Sequence, residues 1–132
     1  MVYTSCYSLH GSNPNAFAIS YSIPDWFDKS RHLKFLAPTW EMVDSYRRGL
    51  MPKEDYADMY IRLLIGREID PMGIAHNFPD GIILLCYESP GKFCHRRVLA
   101  DWVEKETGVV IPEWKSPEQE KQDQLIDDLL DF

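Results

Sequence analysis

Cysteine is scarce in this chain: Cys6, Cys86 and Cys94 are the only three in 132 residues. An odd, small number argues against a disulfide framework, and reduced thiols are the expectation. Long apolar runs are missing as well. None approaches the ~18 residues that a membrane-crossing helix needs, so no membrane partner is expected. The first residues, Met1 to Cys6, lack the basic and apolar regions of a signal peptide, and the expected location is cytoplasmic. No phosphate loop, dinucleotide glycine fingerprint, serine elbow or paired-histidine zinc motif occurs. Basic excess is also absent, with 14 Lys and Arg against 21 Asp and Glu and a formal charge of −7. A general nucleic-acid binder would carry a basic footprint, and that class is set aside.

What is present is a core-forming composition. Apolar residues make up 45% and four tryptophans are included, enough for one packed domain without staples. The charge is unevenly placed. Residues 116–132 hold six acids against Lys121, a net of −5, while residues 1–115 hold 15 acids and 13 bases, a net of −2. The expected organisation is a single α/β domain over 1–115 and an acidic amphipathic tail over 116–132.

Val2–Tyr7 and Ala16–Tyr21 have the β-branched and aromatic content of short strands. Too few residues separate them for a helical crossover between parallel neighbours. They are either antiparallel neighbours or lie apart in the sheet. Residues 22–38 show no period and read as a long ordered segment, the kind that often lines a site. Thr39 is a cap for a helix from Trp40 to Arg48, and a second helix opens at Pro52 with Glu54 and Asp55 in its first turn. Asp70-Pro71 caps a short helix to about His76.

The organising stretch is Gly81 to Val103. Ile82 to Cys86 is a strand buried on both faces. Tyr87 to Gly91 is a turn cluster, and a helix restarts at about Phe93 or Cys94 and stops at Gly108. Arg97, Asp101 and Lys105 follow i,i+4 spacing on what reads as its solvent face. Val109 to Ile111 is expected as a last short strand. Cys86, Glu88, Cys94, His95, Arg96 and Arg97 thus gather where a strand's carboxyl end meets a helix's amino end. Open α/β sheets bind ligands at such junctions, and a helix start favours anions. The fold class expected is a small single-domain α/β fold with a largely parallel or mixed sheet of about three to five strands flanked by helices.

Leu84-Leu85-Cys86-Tyr87-Glu88 followed by Phe93-Cys94-His95-Arg96 resembles the signature of the domain-of-unknown-function 488 family. In that family a strand ends in L-C-x-E and a C-H-R helix start follows. Leu36-Ala37-Pro38, Tyr46-Arg47-Arg48-Gly49 and Asp55 to Tyr60 resemble its shorter members, so the likeness covers about residues 2–114. Longer members carry an Asp-x-Arg pair after the second strand, where this chain has Ser20 and Ser22 before Pro24. The resemblance implies a compact α/β domain with a site at the cysteine–histidine–arginine corner, and it implies no particular reaction.

Cys94, at a helix start beside His95 and two arginines, is placed where a thiol pKa is lowered and a nucleophile forms. The alternative is a small buried hydrophobe. His95 is a candidate acid or base, or a core-edge histidine bonded to backbone. Arg96 is the candidate anion ligand, because a guanidinium clamps a carboxylate or phosphate through two bonds. Glu88 is a base or ligand-orienting group, or simply the partner that holds Arg96. Cys86 reads as core. Seven residues separate Cys86 from Cys94, and the adjacent Cys94 and His95 should diverge on a helix, so a zinc site is disfavoured. No metal and no cofactor are expected.

Two functions follow as expectations. The first is an anion site for a nucleotide or phosphorylated small molecule at the strand–helix junction, with Cys94 and His95 catalytic and Glu88 and Arg96 ligand-binding. The second is a non-enzymatic binding or adaptor protein that engages a protein or nucleic-acid-processing partner through residues 116–132. Leu125, Ile126, Leu129 and Leu130 there follow helical spacing before Phe132.

Overall fold

The structure, a computed structural model, describes residues 1–131. Among these residues, three short strands and six α-helices form a small single-domain α/β fold. The strands are β1 (Tyr3–Cys6), β2 (Ala16–Ala18) and β3 (Ile83–Cys86), in the order β1-β3-β2. Both outer strands run parallel to β3, with Tyr3 opposite Ile83 and Ala16 opposite the same residue from the other side. The first two strands therefore lie apart, with the third between them. Every residue of β3 is buried, as the continuous apolar run requires of a central parallel strand.

The two faces of the sheet carry different cores. Leu84 joins Tyr60 and Leu64 of α3 (Lys53–Gly66) and Leu99 and Val103 of α5 (His95–Thr107). Ile83 and Leu85 point the other way, onto Tyr7, Ala18 and Phe27. That alternation is the two-residue period of a strand. Tyr7 belongs to a one-turn helix, α1 (Tyr7–His10), which leaves β1 directly.

Local chemistry accounts for several element ends. Thr39 Oγ1 accepts from Met42 N and opens α2 (Trp40–Arg47). Asp70 accepts from Met72 N and opens α4 (Pro71–His76). Gly108 ends α5 at φ 78°, a left-handed conformation that glycine adopts without a Cβ penalty. Residues 22–38 are ordered as two single 3-10 turns, Lys29–Arg31 and Lys34–Leu36.

Two expectations are corrected here. Val109 to Ile111 forms no strand among the described residues. The pairing moves to an isolated bridge between Thr4 and Glu113, where Thr4 N donates to Pro112 O and Trp114 N donates to Thr4 O. Pro112 has no N–H to give to a ladder, so pairing stays at this single point. Arg97 does not sit with Asp101 on the solvent face either. Its Nη1 donates to Thr4 Oγ1 at 2.8 Å and Ile111 O at 2.7 Å, tying α5 to that same crossing segment.

The tail is helical: α6 (Pro117–Leu130) starts at Ser116, whose side chain accepts from Gln119 N. It buries no side chain, and Leu125, Ile126, Leu129 and Leu130 are exposed. Lys115 pairs with Asp123 at its start. Phe132, which closes the expected tail segment, lies outside the described residues.

Candidate functional site

The carboxyl end of β3 and the amino end of α5 meet as the sequence leads one to expect. Cys86 ends the strand and Cys94 is the N-cap of the helix. Their sulfurs are joined as a disulfide, with Cα atoms 7.5 Å apart. The expectation of three reduced thiols is thus corrected for this pair, and Cys6 alone is free and buried. The turn of Tyr87 to Phe93 folds the helix start back over the strand end, which brings the two side chains together.

Cys94 and His95 also converge instead of diverging. Cys94 has extended backbone, φ −156° and ψ 146°, and stands just outside the helix. Helical side-chain spacing therefore does not apply to it. Cys94 Sγ lies 3.8 Å from His95 Nδ1, and Cys86, Cys94 and His95 place one sulfur or nitrogen each within 4.8 Å of one another. His95 Nε2 is 2.7 Å from Ile19 O. A carbonyl oxygen only accepts, so Nε2 carries the hydrogen and Nδ1 keeps a free lone pair aimed at the cysteines. Burial, and next the charge of Arg96, lower the His95 pKa from 6.5 to about 4, against the opposing bond to Ile19. His95 is a neutral imidazole near pH 7.

Arg96 has a different role from the one expected. It is completely buried and does not line the open cleft. Nε and Nη2 donate to the Glu113 carboxylate, the shortest contact being 2.7 Å, while Nη1 donates to Glu88 O at 2.6 Å and meets Cys86 Sγ at 2.9 Å. Nearly every donor is used, leaving no fork for a ligand anion. The Arg96 partner is Glu113, not the Glu88 carboxylate, because the Thr4–Glu113 bridge sets Glu113 over the first turn of α5. Burial raises the Glu113 pKa, but hydrogen bonds from Arg96 and Thr4 outweigh it and hold the carboxyl below its usual range.

A cleft of about 510 Å³ opens beside this corner. Glu88 and His95 stand at its base, and Glu88 also borders a smaller recess of about 30 Å³ that reaches Cys94. Tyr21, Trp40 and Tyr87 line the cleft with 48%, 49% and 41% of their surface exposed. Tyr21 and Trp40 lie with ring centroids 5.7 Å apart. Tyr46 and Tyr56 form an inner wall with centroids 5.3 Å apart. Burial, then the Glu88 charge, raise the Tyr56 pKa, so its phenol stays protonated. Two exposed cations, Arg47 and Lys53, complete the lining. Neither has an ion-pair partner among the described residues. Lys53 is the first residue of α3, the position least favourable to a cation beside the helix dipole. Ser20 and Ser22, at the places where an Asp-x-Arg pair was the point of comparison, also line the cleft. Ser20 Oγ is already engaged with the Tyr7 hydroxyl and Ser22 O.

Of the four residues expected to form the site, Glu88 and His95 reach the cleft, Cys94 reaches only the small recess and Arg96 is sealed beneath. Glu113, Arg47 and Lys53 escaped the sequence reading. Arg47 lay within the Tyr46-Arg47-Arg48-Gly49 string, and Lys53 was signalled by a cation at a helix start. Glu113 left no local signal. Fold and site together define a small parallel α/β domain with an aromatic, cation-flanked cleft at the carboxyl end of its central strand. No protein-family model matches the chain, and neither a curated protein nor a solved structure matches it.

Proposed function

We propose that the protein binds an anionic small molecule with a planar ring, of the nucleotide or phosphorylated-metabolite class, in the cleft above β3. One observation carries this reading: unpaired Arg47 and Lys53 share a concave surface with the exposed rings of Tyr21, Trp40 and Tyr87. Rings left in water in a cleft are surfaces for stacking, and cations there supply the counter-charge. Glu88 at the base is the acceptor for a donor edge of the ligand. His95 lines the cleft and Cys94 only the small recess beside it, and Cys94 enters cysteine chemistry only after the disulfide is reduced. The resemblance to the domain-of-unknown-function 488 family, which rests on the residues of this corner, supports the same location, and we propose membership on that ground. Arg96 acts by holding Glu88 O and the corner in place.

Isothermal titration against nucleoside mono- and diphosphates and sugar phosphates tests the reading. Arg47→Ala and Lys53→Ala should each weaken a binding ligand by about tenfold, the worth of one charge-assisted contact. Trp40→Ala should weaken ligands with a ring and spare inorganic phosphate. Unchanged affinity in all three variants would remove the cleft from consideration.

A second reading is favoured by a separate observation. Helix α6 exposes four aliphatic side chains among acids and buries none, which suits a protein partner with an apolar groove and a basic rim. Pull-downs with and without residues 117–132 test it, and identical partner sets would dismiss it.

A further inference from the structure

We propose that the reduced Cys86–Cys94 pair and His95 form a binding site for a thiophilic divalent cation of the zinc class. The site goes beyond the anion-binding reading and does not depend on it.

The ligand set comes first. Cys86 Sγ, Cys94 Sγ and a His95 ring nitrogen lie within 4.8 Å of one another in a buried corner, with Nδ1 3.8 Å from Cys94 Sγ. Two thiolates and an imidazole are the donors of catalytic zinc sites that keep one position open. The imidazole is already prepared, because Nε2–H is fixed on Ile19 O at 2.7 Å and Nδ1 is bare. A backbone carbonyl holding the distal N–H is the usual support behind a ligating histidine.

The backbone spacing agrees. The Cα atoms of Cys86 and Cys94 are 7.5 Å apart, wider than the ~4.4–6.8 Å usual between bridged cysteines. Thiolates sharing a tetrahedral ion at about 2.3 Å each stand about 3.8 Å from one another. A wide Cα pair with convergent side chains suits that span. Cys94 Sγ and His95 Nδ1, at 3.8 Å, are already near the separation of neighbouring ligands.

Charge is the obvious objection, since Arg96 Nη1 lies 2.9 Å from Cys86 Sγ. Glu113 neutralises that guanidinium. Two thiolates, a neutral imidazole and a divalent ion then sum to zero, so the buried corner gains no net charge. The Arg96 N–H becomes a hydrogen bond to a metal-bound thiolate, an outer-shell contact that tunes such sites. The open fourth position faces the recess bordered by Tyr46, Tyr56 and Glu88. Glu88 Oε2, 3.4 Å from Cys86 Sγ, stands where it orients a water on the ion.

Loading balances in two steps. A dithiol or phosphine reductant delivers two electrons, and with two protons the Cys86–Cys94 bond becomes two thiols. The divalent ion then displaces both thiol protons to solvent and takes the His95 lone pair without proton loss.

The test uses the full chain, reduced with a phosphine and titrated with cobalt(II) and then zinc. One equivalent of cobalt should give the intense visible bands of tetrahedral coordination and a thiolate charge-transfer band, both bleached by zinc. Cys94→Ser and His95→Gln should each weaken zinc by more than about tenfold against a competing chelator. Absorption-edge spectroscopy of the zinc-loaded natural chain guards against variants that fail to fold. It should show two sulfur neighbours near 2.3 Å and a nitrogen near 2.0 Å, about the lengths of zinc–thiolate and zinc–imidazole bonds. An oxygen-only shell, no binding by the reduced chain, or undiminished affinity in Cys94→Ser would overturn the proposal.

Discussion

At the scale of single residues, His95 and Arg96 show how burial decides what a polar side chain does. The His95 pKa is about 4 when folded, below its ordinary 6.5. Between these values the unfolded chain binds a proton that the folded chain refuses, so stability falls as pH drops through the window. The full loss is about 3 kcal/mol at 1.36 kcal/mol per pKa unit. Urea unfolding of the oxidised, chelator-treated protein from pH 7.5 to 5 should show about 2 kcal/mol of this fall, and His95→Gln should flatten most of it. His10, lowered first by burial, leaves a residual slope of the same sign. The depressed carboxylates, Glu113 among them, act below this range. A profile as steep in His95→Gln as in the natural chain would show that the imidazole is not buried neutral. Arg96 is the converse case, a buried charge that the Glu113 carboxylate meets. Glu113→Ala should cost about 3 kcal/mol, because it strands a buried guanidinium. A loss under about 1 kcal/mol by denaturant titration would mean that water reaches Arg96.

At the scale of elements, what could be read in the sequence was what depends on near neighbours. The caps at Thr39 and Asp70, the stop at Gly108 and the buried run Ile83–Cys86 are all local signals, and the structure has each of them. Contacts made across the sheet could not be read. Nothing near Glu113 says that it reaches Thr4 and Arg96, and Arg97 leaves its own helix face for Ile111 O. Cys94 misled because a capping residue was assigned the side-chain geometry of the helix it caps. The tail is an element whose stability does not come from the domain. Deleting 117–132 should shift the thermal midpoint by less than about 2 °C, since surface changes away from buried contacts stay within roughly 0.5 kcal/mol. A larger drop in differential scanning calorimetry would mean that α6 packs on the body after all.

At the scale of the whole molecule, the strand–helix corner was legible and the cleft beside it was not. The strand–helix corner followed from one contiguous stretch. The cleft takes its walls from three stretches far apart in the chain: Ser20 to Ser22, Pro38 to Tyr56, and Tyr87 to His95. A ligand there bridges the long ordered segment, α2 and the end of the sheet, and an unfolded chain offers it nothing. Binding should therefore stabilise the entire cooperative unit. At a ligand concentration about 100 times Kd the gain is about 2.7 kcal/mol, a rise of about 8 °C in the midpoint for a chain of this size. Arg47→Ala and Trp40→Ala should lose most of that rise. Both side chains are exposed, so their removal should scarcely move the ligand-free midpoint. An undiminished rise in both variants would put the ligand somewhere other than the cleft.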